Sequence, residues 1–403
     1  MGTDPHYRRN DRFGMCAECR VDLLVGASHN LIDNDSYYDI VEPSIKKPFP
    51  PELIMLRNRL IALPLALLLG LQVSANAQSS NEKVLNLYSA RHYQTDEALY
   101  SNFTKSTGIK INRIEADDNA LIERLNSEGS KSPADVILLV DAARLWRAQV
   151  NGFFKPIQSK YLNDRIPENL RAKGDTDGTT WFGFSTRARI VVYNKNSVKP
   201  GDVSTYEKLA EPMNKGKVCT RSGSHPYMLS LLGALIERNG EKATEAWASG
   251  MVANMARSPK GGDTDQIRAV ASGECGVALT NSYYLARLMR STKPEDIAVM
   301  SKIGFLWPNQ NAGGVHINIS GGGVAKNAPH PGAALQFLEY LASDSAQTYL
   351  ADGNNEWPVV ASVRVDNPAL KELGPYQAEK VSVASIGLNQ IAAQKILDRV
   401  GYK

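Results

Sequence analysis

Short apolar runs alternate with amphipathic helical patterns from Val84 onward, and this alternation constrains the fold more than any other feature of the chain. Residues 84–90, 109–116 and 134–140 have the composition and length of strands. The segments between them carry helical periodicity, and Gly108 is placed to end the first helix. Strand-helix-strand repetition at this spacing predicts an α/β fold whose parallel sheet is covered on both faces.

A second unit of the same kind begins near residue 216. It predicts short strands at 217–220 and 275–280, with helices between and after them. Extended segments near 181–193 and 314–320 connect the two units. At 403 residues, 43% of them hydrophobic, the chain is long enough for two globular lobes with a cleft between them. The predicted boundaries are residues 81–186 with 316–360 for lobe 1, and 187–315 with 361–403 for lobe 2.

Residues 55–77 have the form of a cleavable signal peptide. Arg57 and Arg59 precede a 14-residue apolar run at 60–73, and Ala75-Asn76-Ala77 fits a cleavage site after Ala77. A membrane anchor is the alternative, but a bilayer core requires about 20 apolar residues. We therefore expect export, and we interpret residues 1–54 as a spurious or disordered extension.

Charge and cysteine content limit the function of the exported chain. Removal of residues 1–77 leaves 38 Lys and Arg against 33 Asp and Glu, a net charge of about +5 that is spread along the sequence. This distribution argues against a nucleic-acid surface. Two cysteines remain, Cys219 and Cys275, and they can form a disulfide or stay as two buried thiols. Gly321-Gly322-Gly323 lacks the Gly-Lys-Ser/Thr of a phosphate loop and predicts a tight turn.

Four tyrosines and one histidine follow three of the predicted strands. His92 and Tyr93 come after the first strand, Tyr227 after the strand at 217–220, and Tyr283 and Tyr284 after the strand at 275–280. In open α/β sheets, ligands bind beyond the carboxyl ends of strands, so these side chains can converge.

Phenols ionise only near pH 10. The field of a hard, highly charged cation deprotonates them as they bind, so several phenols together indicate a site for such an ion. Soft metals would select thiolates, and Ca²⁺ or Mg²⁺ would call for carboxylates. Fe³⁺ is the best match to this donor set, and Fe²⁺ is a second ion that the site could accept.

Five stretches also resemble a known family, the iron(III)-binding periplasmic proteins of bacterial ABC importers, also called bacterial transferrins. They are NLYSARHYQTDEALYSNFTKSTGIKI, WFGFSTRARIVVYNK, GSHPYMLSLLGALIE, GECGVALTNSYYLARL and HPGAALQFLEYLASDSAQ. The resemblance covers residues 84–403. It implies a two-lobed type II periplasmic-binding-protein fold with a hinge, an interlobe cleft that binds iron, and delivery to a membrane permease and its ATPase.

The resemblance also implies which residues hold the metal. The adjacent tyrosine pair of the family matches Tyr283 and Tyr284, its second-lobe tyrosine matches Tyr227, and its first-lobe His-Tyr matches His92 and Tyr93. The sequence Arg-His-Tyr is nearer to members that use an additional tyrosine than to members that use a carboxylate and an exogenous anion. Three arginines are expected to keep the phenolates ionised from outside the ligand set, namely Arg187, Arg189 and Arg287. A monomeric, non-enzymatic periplasmic protein is expected.

Two other functions remain open at this point. The same fold could serve as a receptor for a small organic anion such as a phosphonate, held by Arg221, Ser222 and Ser224. An exported hydrolase is the third alternative, but the sequence contains neither a Gly-x-Ser-x-Gly elbow nor a His-Glu-x-x-His helix.

Overall fold

The computed structural model describes residues 83–91, 95–172, 174 and 177–403. The predicted signal peptide, the N-terminal extension, His92 and Tyr93 lie outside the described residues. The strands are β1 Val84–Ser89, β2 Lys110–Glu115, β3 Val136–Val140, β4 Phe182–Asn194, β5 Val218–Cys219, β6 Val277–Asn281, β7 Ile303–Leu306, β8 Ile317–Val324 and β9 Trp357–Pro358.

Helices follow most of these strands. They are α1 Asp96–Thr107, α2 Asp118–Glu128, α3 Ala142–Val150, α4 Lys160–Arg165, α5 Tyr206–Leu209, α6 Pro226–Asn239, α7 Glu241–Ala253, α8 Asp263–Ser272, α9 Ser282–Met289, α10 Pro294–Lys302, α11 Pro331–Leu341, α12 Asp344–Asn354, α13 Pro368–Leu373, α14 Val383–Leu388 and α15 Gln390–Arg399. Local capping explains several of these boundaries. Gly108 ends α1 in the left-handed conformation, and the Asp117 carboxylate accepts the first free amides of α2.

The strands form one mixed sheet in the order β2-β1-β3-β8-β4-β6-β5, with β7 and β9 pairing on β4. β1 is parallel to β2 and β3, and β5 is parallel to β6. The prediction of a parallel sheet is wrong at the centre, where β8 is antiparallel to both β3 and β4, and β6 is antiparallel to β4. The long extended segments cause this, because they run back through the sheet instead of crossing over it through a helix.

β4 takes part in both ends of the sheet. Its residues from Phe182 to Ala188 pair with β8, and those from Arg189 to Tyr193 pair with β6. We call β2-β1-β3-β8 with Phe182–Ala188 the first sheet segment, and β6, β5 and β7 with Arg189–Asn194 the second sheet segment. Every residue of β4 except Tyr193 is buried, as a strand covered on both faces requires.

Gly321, Gly322 and Gly323 lie inside β8, so the prediction of a tight turn at these residues is wrong. A Cβ atom on these three glycines would overlap the carbonyl oxygens of Phe182, Ile137 and Thr180, respectively. Glycine is therefore used here because neighbouring backbone passes too closely for any side chain, rather than to reverse the chain.

Helix α14 packs against both α3 and α6. A Cβ on Gly387 would overlap the side chain of Trp146 in α3, and a Cβ on Gly233 in α6 would come within 2.8 Å of the Ile386 carbonyl oxygen. These close approaches bring α3 of the first sheet segment beside α6 of the second. Among the described residues, no helix is both long enough and apolar enough to cross a membrane.

Candidate metal centre

The hydroxyls of Tyr227 and Tyr283 lie 2.9 Å apart, although 56 residues separate them in sequence. Tyr227 is in the first turn of α6, which follows β5, and Tyr283 is in the first turn of α9, which follows β6. β5 and β6 are parallel neighbours, so both helices begin at the same edge of the sheet.

Tyr284 adds a third phenol to this cluster. Its ring centroid lies 4.3 Å from that of Tyr283, with an angle of 31° between the ring planes. Tyr283 is 2% exposed, whereas Tyr227 and Tyr284 are only partly buried. The three predicted second-lobe ligands therefore lie together, and Tyr283 is the most buried of them.

Three guanidinium groups surround the ring of Tyr227. The central carbons of Arg187, Arg189 and Arg221 lie 5.7, 5.8 and 5.1 Å from its centroid. Arg221 also donates from Nη2 to the Tyr284 hydroxyl at 3.3 Å. Positive charge at this range favours the ionised form of a phenol, which is the form that binds a metal.

Asp263 neutralises part of that charge. Its two carboxylate oxygens lie 2.6 Å from Nε of Arg221 and 2.7 Å from Nη1 of Arg189, and the carboxylate is fully buried. Asp263 also accepts from the backbone amide of Asn281, the residue that ends β6. The carboxylate thus fixes both arginines relative to the strand that leads into Tyr283 and Tyr284.

Arg187 carries the least compensated charge of the three arginines. It is 2% exposed, donates to Oγ of Ser320 at 3.3 Å, and lies 3.9 Å from the carboxylate of Asp141. Its Nε and Nη2 atoms have no hydrogen-bond partner within the described part of the chain. Burial acts to lower the pKa of Arg187, but Tyr227, Asp141 and Glu356 outweigh it and raise that pKa, so the group stays charged.

His225 precedes Tyr227 and is held in the neutral form. Burial, together with Arg221, lowers the pKa of its imidazole to about 3. Nε2 lies 2.7 Å from Nη1 of Arg221, and the His225 ring packs edge-on against Tyr227 with centroids 4.4 Å apart. His225 therefore contributes packing and hydrogen bonding to the cluster without adding charge.

The predicted first-lobe pair, His92 and Tyr93, falls outside the described residues, but the residue before them is anchored. Arg91 is buried and ion-paired with Asp96 at 3.0 Å and with Glu356 at 3.1 Å. Glu356 also accepts from Oγ of Ser185 on β4. Through these contacts the end of β1 is tied to the long strand that serves both sheet segments.

The remaining predicted site residues have separate positions. Arg287 is exposed, with its guanidinium carbon 5.6 Å from the ring centroid of Tyr284. Cys219 and Cys275 form a disulfide with Cα atoms 5.9 Å apart, which joins β5 to the approach of β6. Ser222 and Ser224 hydrogen-bond to each other at 3.0 Å, and Arg221 is ion-paired with Asp263.

Sequence reasoning did not identify two buried acids of the site, Asp141 and Asp263. Asp141 directly follows β3, so the rule that drew attention to the tyrosines after strands could have found it. Asp263 begins a helix and gives no such signal. Among the described residues, no group of three His, Cys, Asp or Glu side chains could hold a metal ion.

The fold and the tyrosine cluster define a class of protein, and comparisons with known proteins agree with that class. Residues 98–374 match the family model of bacterial extracellular solute-binding proteins, and the chain belongs to that family. Its fold is that of the type II periplasmic binding proteins.

The most similar relatives share much of the length of the chain. Iron uptake protein A1 of Synechocystis is 47% identical over 322 residues, which are 80% of this chain and 88% of that protein. The structure of Trichodesmium IdiA (FutA) in complex with iron and citrate is 53% identical, with a TM-score of 0.75 over 79% of this chain and 100% of that one. The ferric binding protein of Campylobacter jejuni is 40% identical, with a TM-score of 0.74 over 79% of this chain and all of that one. These similarities confirm the family resemblance seen in the sequence.

Proposed function

We propose that this chain is the substrate-binding component of an ABC iron importer, which binds Fe³⁺ in a tyrosine-rich cleft and delivers it to a membrane permease. The observation that carries the proposal is the 2.9 Å distance between the hydroxyls of Tyr227 and Tyr283. An octahedral ion with bonds of about 2.0 to 2.1 Å holds adjacent oxygens roughly 2.9 Å apart. The two phenols can therefore become neighbouring ligands without moving.

The charges around the cluster support an anionic ligand set. Tyr227, Tyr283 and Tyr284 would bind as phenolates. These three balance one Fe³⁺, and Tyr93 as a fourth phenolate would leave the bound ion with a net negative charge. Arg187 lies 5.7 Å from the ring centroid of Tyr227, and its Nε and Nη2 have no hydrogen-bond partner among the described residues. It stabilises the negative charge that accumulates at the cluster. The neutral imidazole of His225 leaves this balance unchanged.

His92 and Tyr93 complete the ligand set from the first lobe in this proposal. Residues 81–186 with 316–360 and residues 187–315 with 361–403 form the two lobes. They close about the extended segments near 181–193 and 314–320. Of these, β4 runs between the two sheet segments, and its pairing partner changes at Ala188, two residues after the predicted lobe boundary. Ion binding on the tyrosines of lobe 2 comes first, and closure then adds the ligands of lobe 1.

The protein acts in the periplasm as a monomer and catalyses no reaction in this proposal. Export uses the signal peptide that begins near Met55 and is cleaved after Ala77. Iron, the permease and the ATPase are its partners, and the relatives named for iron uptake and ferric binding support this assignment.

Titration of the iron-free mature chain, beginning at Gln78, with ferric citrate tests the proposal. A phenolate-to-iron charge-transfer band should appear in the visible spectrum and saturate at one ion per chain. Tyr227→Phe should weaken and shift the band, whereas Tyr161→Phe, at an exposed tyrosine of α4, should leave it unchanged. Absence of any band, with saturable binding of a phosphonate instead, would assign the cleft to organic anions.

A further inference from the structure

A surface groove of about 380 Å³ lies between α3, α6 and the start of α15. Its apolar walls come from Trp146 and Val150 of α3, Pro226 and Leu229 of α6, and Ile391 of α15. α3 follows β3 of the first sheet segment, whereas α6 follows β5 of the second. The groove is therefore built jointly by the two parts of the molecule that we propose as lobes.

Exposed apolar side chains concentrate around this groove. Six large hydrophobic side chains are exposed among the described residues, and three of them are here: Val150 at 58%, Leu388 at 66% and Ile391 at 62%. Val150 and Ile391 line the groove, and Leu388 follows Gly387, which packs on Trp146. Single exposed hydrophobic residues are common on protein surfaces, but a cluster beside a groove is typical of an interaction site.

The charged groups of the groove are basic. Arg144 and Arg147 line it. Arg144 donates to Oδ1 of Asn119 at 2.9 Å and acts on the nearby Asp118, whereas Arg147 is exposed and forms no ion pair with a described carboxylate. The other polar lining groups are the amides of Gln390 and Gln394. A bound segment with an apolar face and adjacent acidic residues would complement both the apolar walls and the basic side chains of the groove.

The position of the groove links it to the metal centre. Pro226 of its wall directly precedes Tyr227, and Ala143 and Arg144 lie two and three residues after Asp141. A rotation of one sheet segment relative to the other would separate α3 from α6 and divide the apolar surface. In the structure α3 and α6 lie side by side, and the groove between them is complete.

We propose that this groove docks an amphipathic, acidic periplasmic segment of the permease, and that it does so only when the lobes are closed. The inference rests on the proposed function, since it identifies where the iron-loaded protein contacts its importer. It also supplies a physical reason for recognition of the loaded form, because lobe opening would leave the apolar residues of α3 on one lobe and those of α6 and α15 on the other.

The test uses the mature chain with the permease and ATPase of the same transporter, reconstituted in proteoliposomes. Val150→Asp combined with Ile391→Asp should leave the iron charge-transfer band and iron affinity unchanged, because neither residue touches the tyrosines. The same double variant should reduce stimulation of the ATPase, and iron uptake, at least tenfold. Ile297→Asp, at an equally exposed residue of α10, is the matched control and should behave as wild type.

Arg147→Glu tests the charge of the partner. It should reduce ATPase stimulation at low salt, and added salt should narrow the difference from wild type. Full uptake by the double variant would overturn the proposal, as would unchanged stimulation by Arg147→Glu. A wild-type dimer that the double variant converts to monomer would assign the groove to a second copy of the chain. Failure of the wild type to bind iron would contradict the proposed function itself. The charge-transfer band detects that failure independently of ATPase stimulation and iron uptake.

Discussion

Ser230 donates a hydrogen bond from Oγ to the buried carboxylate of Asp141 at 2.5 Å, and this bond joins α6 to the end of β3. Asp141 has a φ of 133°, a conformation that residues other than glycine rarely adopt. Asn318 of β8 donates to the other carboxylate oxygen at 2.9 Å. Because Ser230 lies one helical turn after Tyr227, the bond helps to fix the tyrosine relative to the first sheet segment.

Ser230→Ala should accelerate iron release while leaving the charge-transfer band in place. A hydrogen bond to a charged group contributes about 1.5 to 3 kcal/mol, so release to a competing chelator should become roughly tenfold faster or more. Stopped-flow loss of the band measures this rate. Ser249→Ala on α7, whose hydroxyl bonds only within its own helix, is the control. Equal release rates in the two variants would show that the bond does not hold the lobes together.

Tyr283→Phe should cause a larger loss of iron affinity than changes at residues outside the ligand set. Loss of such supporting residues typically costs 10- to 100-fold in metal affinity, so loss of a direct phenolate should exceed about 100-fold. Competition with citrate, followed through the charge-transfer band, measures the change. The phenylalanine retains the buried ring, so thermal stability of the iron-free protein should change little. A wild-type iron affinity would remove Tyr283 from the ligand set.

Arg187→Met should make iron retention more sensitive to acid. Protons compete with the metal for the phenolates, and the buried positive charge of Arg187 opposes that protonation. Its removal should move the midpoint of acid-induced iron release upward by about one pH unit. A pH titration of the band checks the shift. Arg287→Met, at the exposed arginine beside Tyr284, should shift the midpoint less because solvent screens its charge.

Asp118→Asn should stabilise the protein at neutral pH. Burial raises the pKa of Asp118 to about 6, although Arg144 acts in the opposite direction. The folded state therefore binds this proton more tightly than the unfolded state, whose carboxyl titrates near pH 4, and the free energy of unfolding falls as pH rises from about 4 to 6. The substitution should remove that decrease and raise the free energy of unfolding at pH 7 by up to about 3 kcal/mol.

Urea unfolding of wild type and Asp118→Asn at pH 4, 5, 6 and 7 measures this effect. The difference should be largest at pH 7 and should shrink toward pH 4, where the carboxyl is protonated in the folded state and about half protonated in the unfolded state. Glu123→Gln, at an exposed carboxylate of the same helix, is the control. A constant difference between Asp118→Asn and wild type at every pH would contradict titration as the cause.

Replacement of Cys219 and Cys275 by serine should lower the free energy of unfolding by about 2 to 4 kcal/mol. The disulfide closes a loop of 56 residues, and its loss increases the conformational freedom of the unfolded chain. The midpoint of urea unfolding measures the change. Iron affinity should be retained, because neither cysteine contacts the tyrosines. An unchanged midpoint would mean that the bond contributes nothing beyond local packing.

Much of this arrangement is predictable from local patterns. The apolar runs and caps around α1, α2, α6 and α9 predict their positions, and the strand-end rule predicts that Tyr227 and Tyr283 share one edge of the sheet. The antiparallel centre is not predictable in this way, because a strand of 13 residues has the same sequence pattern whether its neighbours are parallel or antiparallel. The glycines of β8 predict a turn because close contact with distant backbone leaves no local signal.

The buried carboxylates were harder to predict for a related reason. Asp263 matters because Arg189, Arg221 and the amide of Asn281 converge on it from three separate segments. Such convergence depends on tertiary packing, whereas sequence periodicity reports only which face of an element is apolar.

Ala188 marks the change of pairing partner along β4, and this has an electrostatic consequence. Arg187 is in register with Asn318 on one side of that point, and Arg189 is in register with Asn281 on the other. A twist of the strand at Ala188 would thus move the two guanidiniums apart and dilute the positive potential at Tyr227. The motion that exposes the bound ion would therefore also make the tyrosine ligands easier to protonate. Lobe opening and iron release would then be coupled.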